Sequence, residues 1–346
     1  MAGRGEGEGQ LDTSNLAREA ITTCAPVSHN EPVRYSSDID PDAEYDVNKL
    51  DGQVTIAIRR TESAVRETPD DFGCHEALAE LLCAFLTTHR AIRSLIKTID
   101  TPDSQLGDAL SLVREQIEKV FIVSLLLDDP EKWTRVYVRD GWQKGYKIFV
   151  LEREETKDLK RFQEWNTQSG PTLWEGFRRG IGITEVERDA TEFIALNPRD
   201  TMPSDLQDHV IERFPSPSVR VAGRAREDIM KKVLKLWHAE YERYCDFSHI
   251  LYGKLFLGRV AADARIDLSV RRKLLHDAAD QGLTESYRTA GYVCAEICAR
   301  KAKDLEALAA VDELWQVLRN ASLFGKWLYE ERVSGLLPLT PGAHGE

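Results

Sequence analysis

Apolar residues recur at three- and four-residue spacing from Leu78 to Leu125, and that period restricts the chain to helices packed along one face. In DDFGCHEALAELLCAFLTTHRAIRSLIKTID, the side chains of Leu78, Leu81, Leu82, Phe85, Leu86, Ile92, Leu95, Ile96 and Ile99 line one side of a long amphipathic helix. Leu106 to Leu127 repeats the pattern through Leu110, Val113, Ile117, Val120, Phe121 and Leu125, with TPDSQ as its N-terminal cap. No segment shows the period-two alternation of a strand, and no internal repeat of fixed length is present. The expected fold class is therefore all-α, a multi-helix bundle.

The remaining helices are read the same way. Leu50, Val54, Ala57, Ile58 and Val65 place a first helix ahead of Pro69. Asp129 followed by Pro130 is a cap with proline at the first helical position, opening a helix to about Glu155. Residues 158–222 form an irregular insertion, with Ser-Gly-Pro at 169–171, a helix expected at Glu185–Leu196, and a proline-punctuated loop from Asn197 to Pro217. A principal helix is expected from about Ala225 to Gly258, followed, after a cap at Asp267 or Ser269, by helices at 269–280, 284–302 and 304–334.

Residues 1–46 combine Gly, Glu, Ser and Pro with the acidic run SSDIDPDAEYD, and too few apolar side chains to offset ordering entropy; they read as a disordered acidic tail. The bundle domain is expected at 47–336, with a second disordered tail at 337–346. No run approaches the roughly 20 apolar residues of a membrane span, and Met1–Gln10 lacks a signal core, so the expected location is cytoplasmic, with no membrane partner. Six cysteines without a close CxxC pair read as reduced thiols, with Cys294 and Cys298 as helix-packing residues. A net charge of −12 argues against general nucleic-acid affinity, although ten of the acids lie before residue 50.

Chemistry concentrates in WHAEYERYCDFSHILYGKLFL, residues 237–257. On a straight helix, Leu234, Trp237, Tyr241, Cys245, Ser248 and Tyr252 form one stripe, read as core. Beside it His238, Glu242, Asp246 and His249 span about 80° of arc, four ionisable groups next to an apolar seam. An imidazole beside a carboxylate is a serviceable acid/base; ordinary i,i+4 pairing along a half-exposed edge is the plainer reading. The seven tryptophans are read as core and not as an aromatic cage.

At ERYCDFSHI, preceded by LWHAEY, the chain resembles the Arg-to-His motif of the HEPN superfamily of all-helical domains, and looks closest to a prokaryotic branch of unknown function. ALSLVREQIEKVFIVSLLLDDPEKW, with Arg114 and Glu118 one turn apart, is similar to that branch's Arg/Glu helix. The resemblance implies a metal-independent endoribonuclease of a defence or toxin type, active as a homodimer on RNA. Arg243 would hold the scissile phosphate and His249 would act as acid/base toward the 2′-hydroxyl. His238, Glu242, Asp246, Ser248, Arg114 and Glu118 would support them; Arg114 with Glu118 reads most simply as an i,i+4 salt bridge, and alternatively Glu118 reaches across to Arg243 or His249. The residue after the arginine is Tyr244, where the family has a polar one. Six residues on a straight helix separate Arg243 from His249 by about 120°, so joint action needs a bend or a partner subunit. The alternative is a non-catalytic helical module that binds a partner and uses the same helix as a dimer interface.

Arg220, Arg224, Arg226, Lys231, Lys232 and Lys235 form a candidate nucleic-acid patch, though a solvated helix face has the same composition. Asp246-x-x-His249 is half of a di-iron pattern whose second helix is missing, and neither a metal nor a cofactor is expected. Phosphate loops, dinucleotide fingerprints and G-x-S-x-G elbows are absent.

Overall fold

The computed structural model describes residues 47–68, 73–101, 104–156, 170–248, 257–260, 262–263, 265–302, 304–320 and 322–337. Every regular element among them is helical. In chain order these are α1 (Val47–Arg66), α2 (Cys74–Ile96), α3 (Leu106–Asp128), α4 (Pro130–Thr156), α5 (Gly170–Gly180) and α6 (Glu185–Leu196). After the single turns α7 (Ser204–Gln207) and α8 (Val219–Ala222) come α9 (Asp228–Ser248), α10 (Leu268–Ile297), α11 (Leu305–Leu318), α12 (Leu323–Leu328) and α13 (Ser334–Leu336). Both expected tails, 1–46 and all but Leu337 of 337–346, lie outside the described residues.

Helix α3 is the centre of the bundle, packed by α2, α9 and α10. Its sequence explains why: Gln116, Val123, Leu126 and Leu127 are buried along with the predicted seam, so the helix is covered nearly all round. Around this centre α1 joins α2, α10 and α11. A second, smaller core lies where α4 meets α6: Trp142, Tyr146, Phe149 and Val150 pack with Ile183, Ala195 and Ile211. The irregular insertion thus closes over α4.

Several boundaries follow the predicted signals. α1 stops before Pro69, α6 spans Glu185–Leu196 as expected, and α4 opens at Pro130, with Asp129 Oδ1 accepting from the Lys132 amide at 3.4 Å. Asp267 caps α10, accepting from Ser269 N at 2.8 Å and Val270 N at 3.4 Å.

Other boundaries differ. The cap of α3 is Gln105, whose side chain bonds no backbone amide, so TPDSQ is not a side-chain cap. The principal helix begins at Asp228, after the separate turn α8, and its described part ends at Ser248. The expected break near residue 281 is absent: α10 runs on through Gly282, because glycine is needed for close approach. A β-carbon at Gly282 would lie 2.6 Å from Leu110 Cδ2 of α3. Conversely, the helix expected over 304–334 breaks after Leu318. Ser322 Oγ accepts from Gly325 N at 2.9 Å and starts α12, which passes through a π turn at Tyr329–Val333.

Candidate functional site

Helix α9 meets α3 along an aromatic and polar seam. Trp237 is fully buried, its ring 5.8 Å from that of Tyr292 and 5.2 Å from that of Phe324, and Leu234 is equally buried. One turn on, Tyr241 enters a three-way contact with α3. Arg114 Nη2 donates to the Tyr241 hydroxyl at 2.7 Å and to Glu118 Oε1 at 2.9 Å, and that hydroxyl donates to Glu118 Oε1 at 3.2 Å. The guanidinium also lies over the Tyr241 ring, 5.0 Å from its centroid. Burial pushes the Tyr241 phenol up to about 12 even though the Arg114 bond pulls the other way, which keeps it a protonated donor. Burial likewise raises the neighbouring Cys245 thiol and removes it as a ready nucleophile.

Glu118 forms the i,i+4 salt bridge with Arg114, and among the described residues its contact across to α9 is with Tyr241. Arg243, two residues beyond Tyr241, falls on a different face because successive helical residues turn by about 100°. Its guanidinium is 51% exposed and sits 3.1 Å from Glu240 Oε2, on the flank where Tyr244 and Glu285 of α10 are buried. Arg114 and Arg243 therefore serve separate networks.

His249 lies outside the described residues, and of Asp246 and Ser248 only the helical backbone is described. His238 is partly buried, its Nδ1 3.8 Å from Glu242 Oε1 and beyond hydrogen-bond reach, while Glu242 is exposed.

The six basic residues do not make one free patch. Arg226 donates its backbone amide to Asp128 Oδ1 at 2.9 Å and pairs its side chain with Asp129; Lys231 holds Asp228 at 2.9 Å. Lys232 holds Glu331 at 3.0 Å and stands over the Trp327 ring. Arg220, Arg224 and Lys235 are exposed. Acids of other elements, Asp129 and Glu331, thus take two of the six bases, and Lys231 pairs within its own helix.

Two features escaped the sequence. The first is a buried polar line between α1, α2 and α10: His89 Nδ1 lies 2.8 Å from Ser286 Oγ and His89 Nε2 lies 3.2 Å from Asp51 Oδ1. Arg93 Nε and the Tyr287 hydroxyl donate to the same carboxylate at 2.5 and 2.8 Å. Burial pushes the Asp51 carboxyl up, but the bonds from His89 and Tyr287 outweigh it and hold it below its ordinary value. The residue types are those of a serine hydrolase. The ring nitrogens, however, are used the other way round, and Ser286 is closed to solvent, so the line clamps helices.

The second is a cleft of about 650 Å³ where α3, α4 and α5 meet the 214–217 loop. Glu118 forms part of its wall, so the Arg114–Glu118–Tyr241 contact stands at one end. Tyr137, Trp142, Trp174, Phe177 and Phe214 also line it, with Leu173 and Phe177 of α5 standing more than half exposed. Trp142 and Trp174 were expected to be core; Trp142 is, but Trp174 is only partly covered and both face the cleft. Gly145 makes this packing feasible, since a β-carbon there would fall 2.6 Å from the Trp174 ring. The signal was present in sequence as Trp and Phe three residues apart on a short segment, but its partner Phe214 lies far along the chain.

No group of three or more metal-ligating side chains occurs among the described residues, and among them no helix is long and apolar enough to cross a membrane. The described cysteines, Cys74, Cys83, Cys245, Cys294 and Cys298, are all unbridged. Compared with known proteins, the chain matches no family model, no curated protein and no solved structure.

Proposed function

We propose that this chain is a non-catalytic helical binding module whose ligand-taking feature is the cleft between α3, α4 and α5. The observation that carries this reading is the cleft itself. Its volume falls within the roughly 300–1,000 Å³ of small-molecule pockets, and it is lined by aromatic side chains with a few carboxylates converging among them. The carboxylate it shares with the α3–α9 seam, Glu118, is engaged by Arg114, and in that seam Tyr241 is held protonated and the Cys245 thiol is raised by burial. Fragment screening by NMR on the full chain tests the reading. Shifts should cluster on Tyr137, Trp174 and Phe214; fragments that bind elsewhere and leave those three unmoved would overturn it.

A second reading, the HEPN-type endoribonuclease acting as a homodimer on RNA, is supported by one feature, the half-exposed guanidinium of Arg243, which a phosphate could reach from solvent. In this reading Arg243 clamps the phosphate and His249 moves the proton. RNA cleavage in EDTA by the wild type, lost in both Arg243→Ala and His249→Ala with folding retained, would establish it in place of the first. Cleavage by the histidine variant at the wild-type rate would remove it.

A further inference from the structure

The cleft has a chemical preference that its lining residues define. Its rings present π faces and edges, and its carboxylates come from three helices: Glu80 of α2, Glu118 of α3 and Asp140 of α4. Glu80 stands exposed beside Tyr137; burial raises the Tyr137 phenol first, and the negative charge of Glu80 raises it further. Glu118 is engaged by Arg114 at its far side. Lys144 is the one basic residue in the lining, and it is already paired with Asp140 Oδ2 at 2.7 Å while its own side chain extends into solvent.

Asp140 is the informative residue. It is 2% exposed, and among the described residues its second oxygen, Oδ1, has no hydrogen-bond donor. A buried carboxylate with an unmet lone pair is costly, and burying a polar group without a partner is tolerated mainly where something else supplies one. Asp140 lines the cleft, and its terminal side-chain torsion is soft, so a turn about it is the motion by which a ligand seated there would meet that oxygen. A positively charged N–H donor is the group that satisfies it, and the same positive charge gains from the aromatic rings around it. Gly141, next to Asp140, leaves room: a β-carbon there meets nothing within 4 Å.

Building on the binding-module reading, we infer that the cleft takes an organic ammonium ion, a primary or secondary amine carried on a compact apolar body. The amine donates to Asp140 with Glu80 as the second negative wall. The body lies among Tyr137, Trp174, Phe177 and Phe214. A quaternary ammonium has the charge and lacks the donor, an alcohol has the donor and lacks the charge, and a carboxylate meets three carboxylates.

The test is calorimetric titration of the full chain with 2-phenylethylammonium, its N,N,N-trimethyl analogue, 2-phenylethanol and 3-phenylpropionate. The primary ammonium should bind at least about tenfold more tightly than each of the other three, a factor within the range of a charge-assisted hydrogen bond. Asp140→Asn and the exposed Glu80→Gln should each weaken it severalfold, and Gly141→Leu, which fills the cleft from a helix position that favours leucine over glycine, should abolish it. Equal or tighter binding of the alcohol or the carboxylate overturns the ammonium preference; if Gly141→Leu still abolishes that binding, the cleft remains a binding site and only its ligand class is wrong. Binding of the ammonium that survives Gly141→Leu, or that is unchanged in both carboxylate variants, places it elsewhere and overturns the inference. If none of the four probes binds, and a general apolar dye also leaves Trp174 fluorescence unmoved, the binding-module reading falls with it.

Discussion

Glu285 and Arg288 lie one turn apart on α10, 2.8 Å from each other, and both side chains are almost wholly closed to solvent. The groups facing this pair are Glu240, Arg243 and Tyr244 of α9, and the Arg288 guanidinium also lies over the Phe324 ring. Burial, with Glu240 adding to it, pushes the Glu285 carboxyl up to about 7 against the pull of Arg288. A carboxyl whose folded value exceeds its unfolded one holds more protons in the folded state. It therefore withdraws stability as pH rises, over the window from its ordinary value of 4.5 to about 7. Measured by thermal melts, Glu285→Gln should gain on the wild type as pH goes from about 5 to about 8. A constant difference between the two across that range would show that Glu285 does not titrate there.

Two glycines predict opposite signs. Gly52 is exposed in the interior of α1 and a β-carbon there meets nothing within 4 Å, so Gly52→Ala should stabilise the protein by up to about 1 kcal/mol through helix propensity. Gly325 lies where a β-carbon would fall 2.7 Å from the Leu318 carbonyl oxygen, and backbone cannot yield as a side-chain tip can. Gly325→Ala should cost about 1–3 kcal/mol in urea unfolding. A stabilising result at Gly325 would mean that the turn between α11 and α12 is looser than described.

The buried line through Ser286 predicts an absence of reactivity. A fluorophosphonate probe should leave Ser286 unlabelled in the native protein, because no reagent can reach a side chain with no exposed surface. Tyr287→Phe removes one donor to the Asp51 carboxylate and should cost about 1.5–3 kcal/mol, the usual range for a hydrogen bond to a charged group. Labelling at Ser286 without unfolding would reopen the hydrolase interpretation.

The contact of Arg114, Glu118 and Tyr241 should behave as one unit. Arg114→Met and Tyr241→Phe each remove a bond to the other, so their effects on stability should fall short of additive by about 1 kcal/mol in a double-mutant cycle. Simple additivity would indicate that the stacking and the 2.7 Å bond contribute nothing between them.

What could be read along the chain was local. Periodicity locates α1 to α4, the Asp-Pro pair locates the start of α4, and the helical stripe of Trp237 places it in the core, where it is fully buried. Thr184-x-x-Glu187 was a legible signal that went unused: the two side chains form a full capping box at the start of α6. The break after Leu318 is marked by the Ser322 cap of α12; the failure at Gly282 arises because whether a glycine ends a helix or lets a neighbour approach depends on what lies opposite it. The site was half legible for the same reason. Arg114 and Glu118 were recognisable as a pair, but their third member, Tyr241, is 127 positions from Arg114, and the aromatic wall around Asp140 is assembled from two helices and a loop. Charge counting was misleading where acids of distant elements, such as Asp129 and Glu331, sit on the bases.

The central position of α3 has a consequence for synthesis and for editing of the chain. Its neighbour α2 precedes it and is made first, whereas α9 and α10, which cover its other sides, begin at Asp228 and Leu268. Until those residues leave the ribosome, α3, which is buried nearly all round in the folded protein, lacks the cover of α9 and α10. Fragments ending before α9 should therefore be chaperone clients.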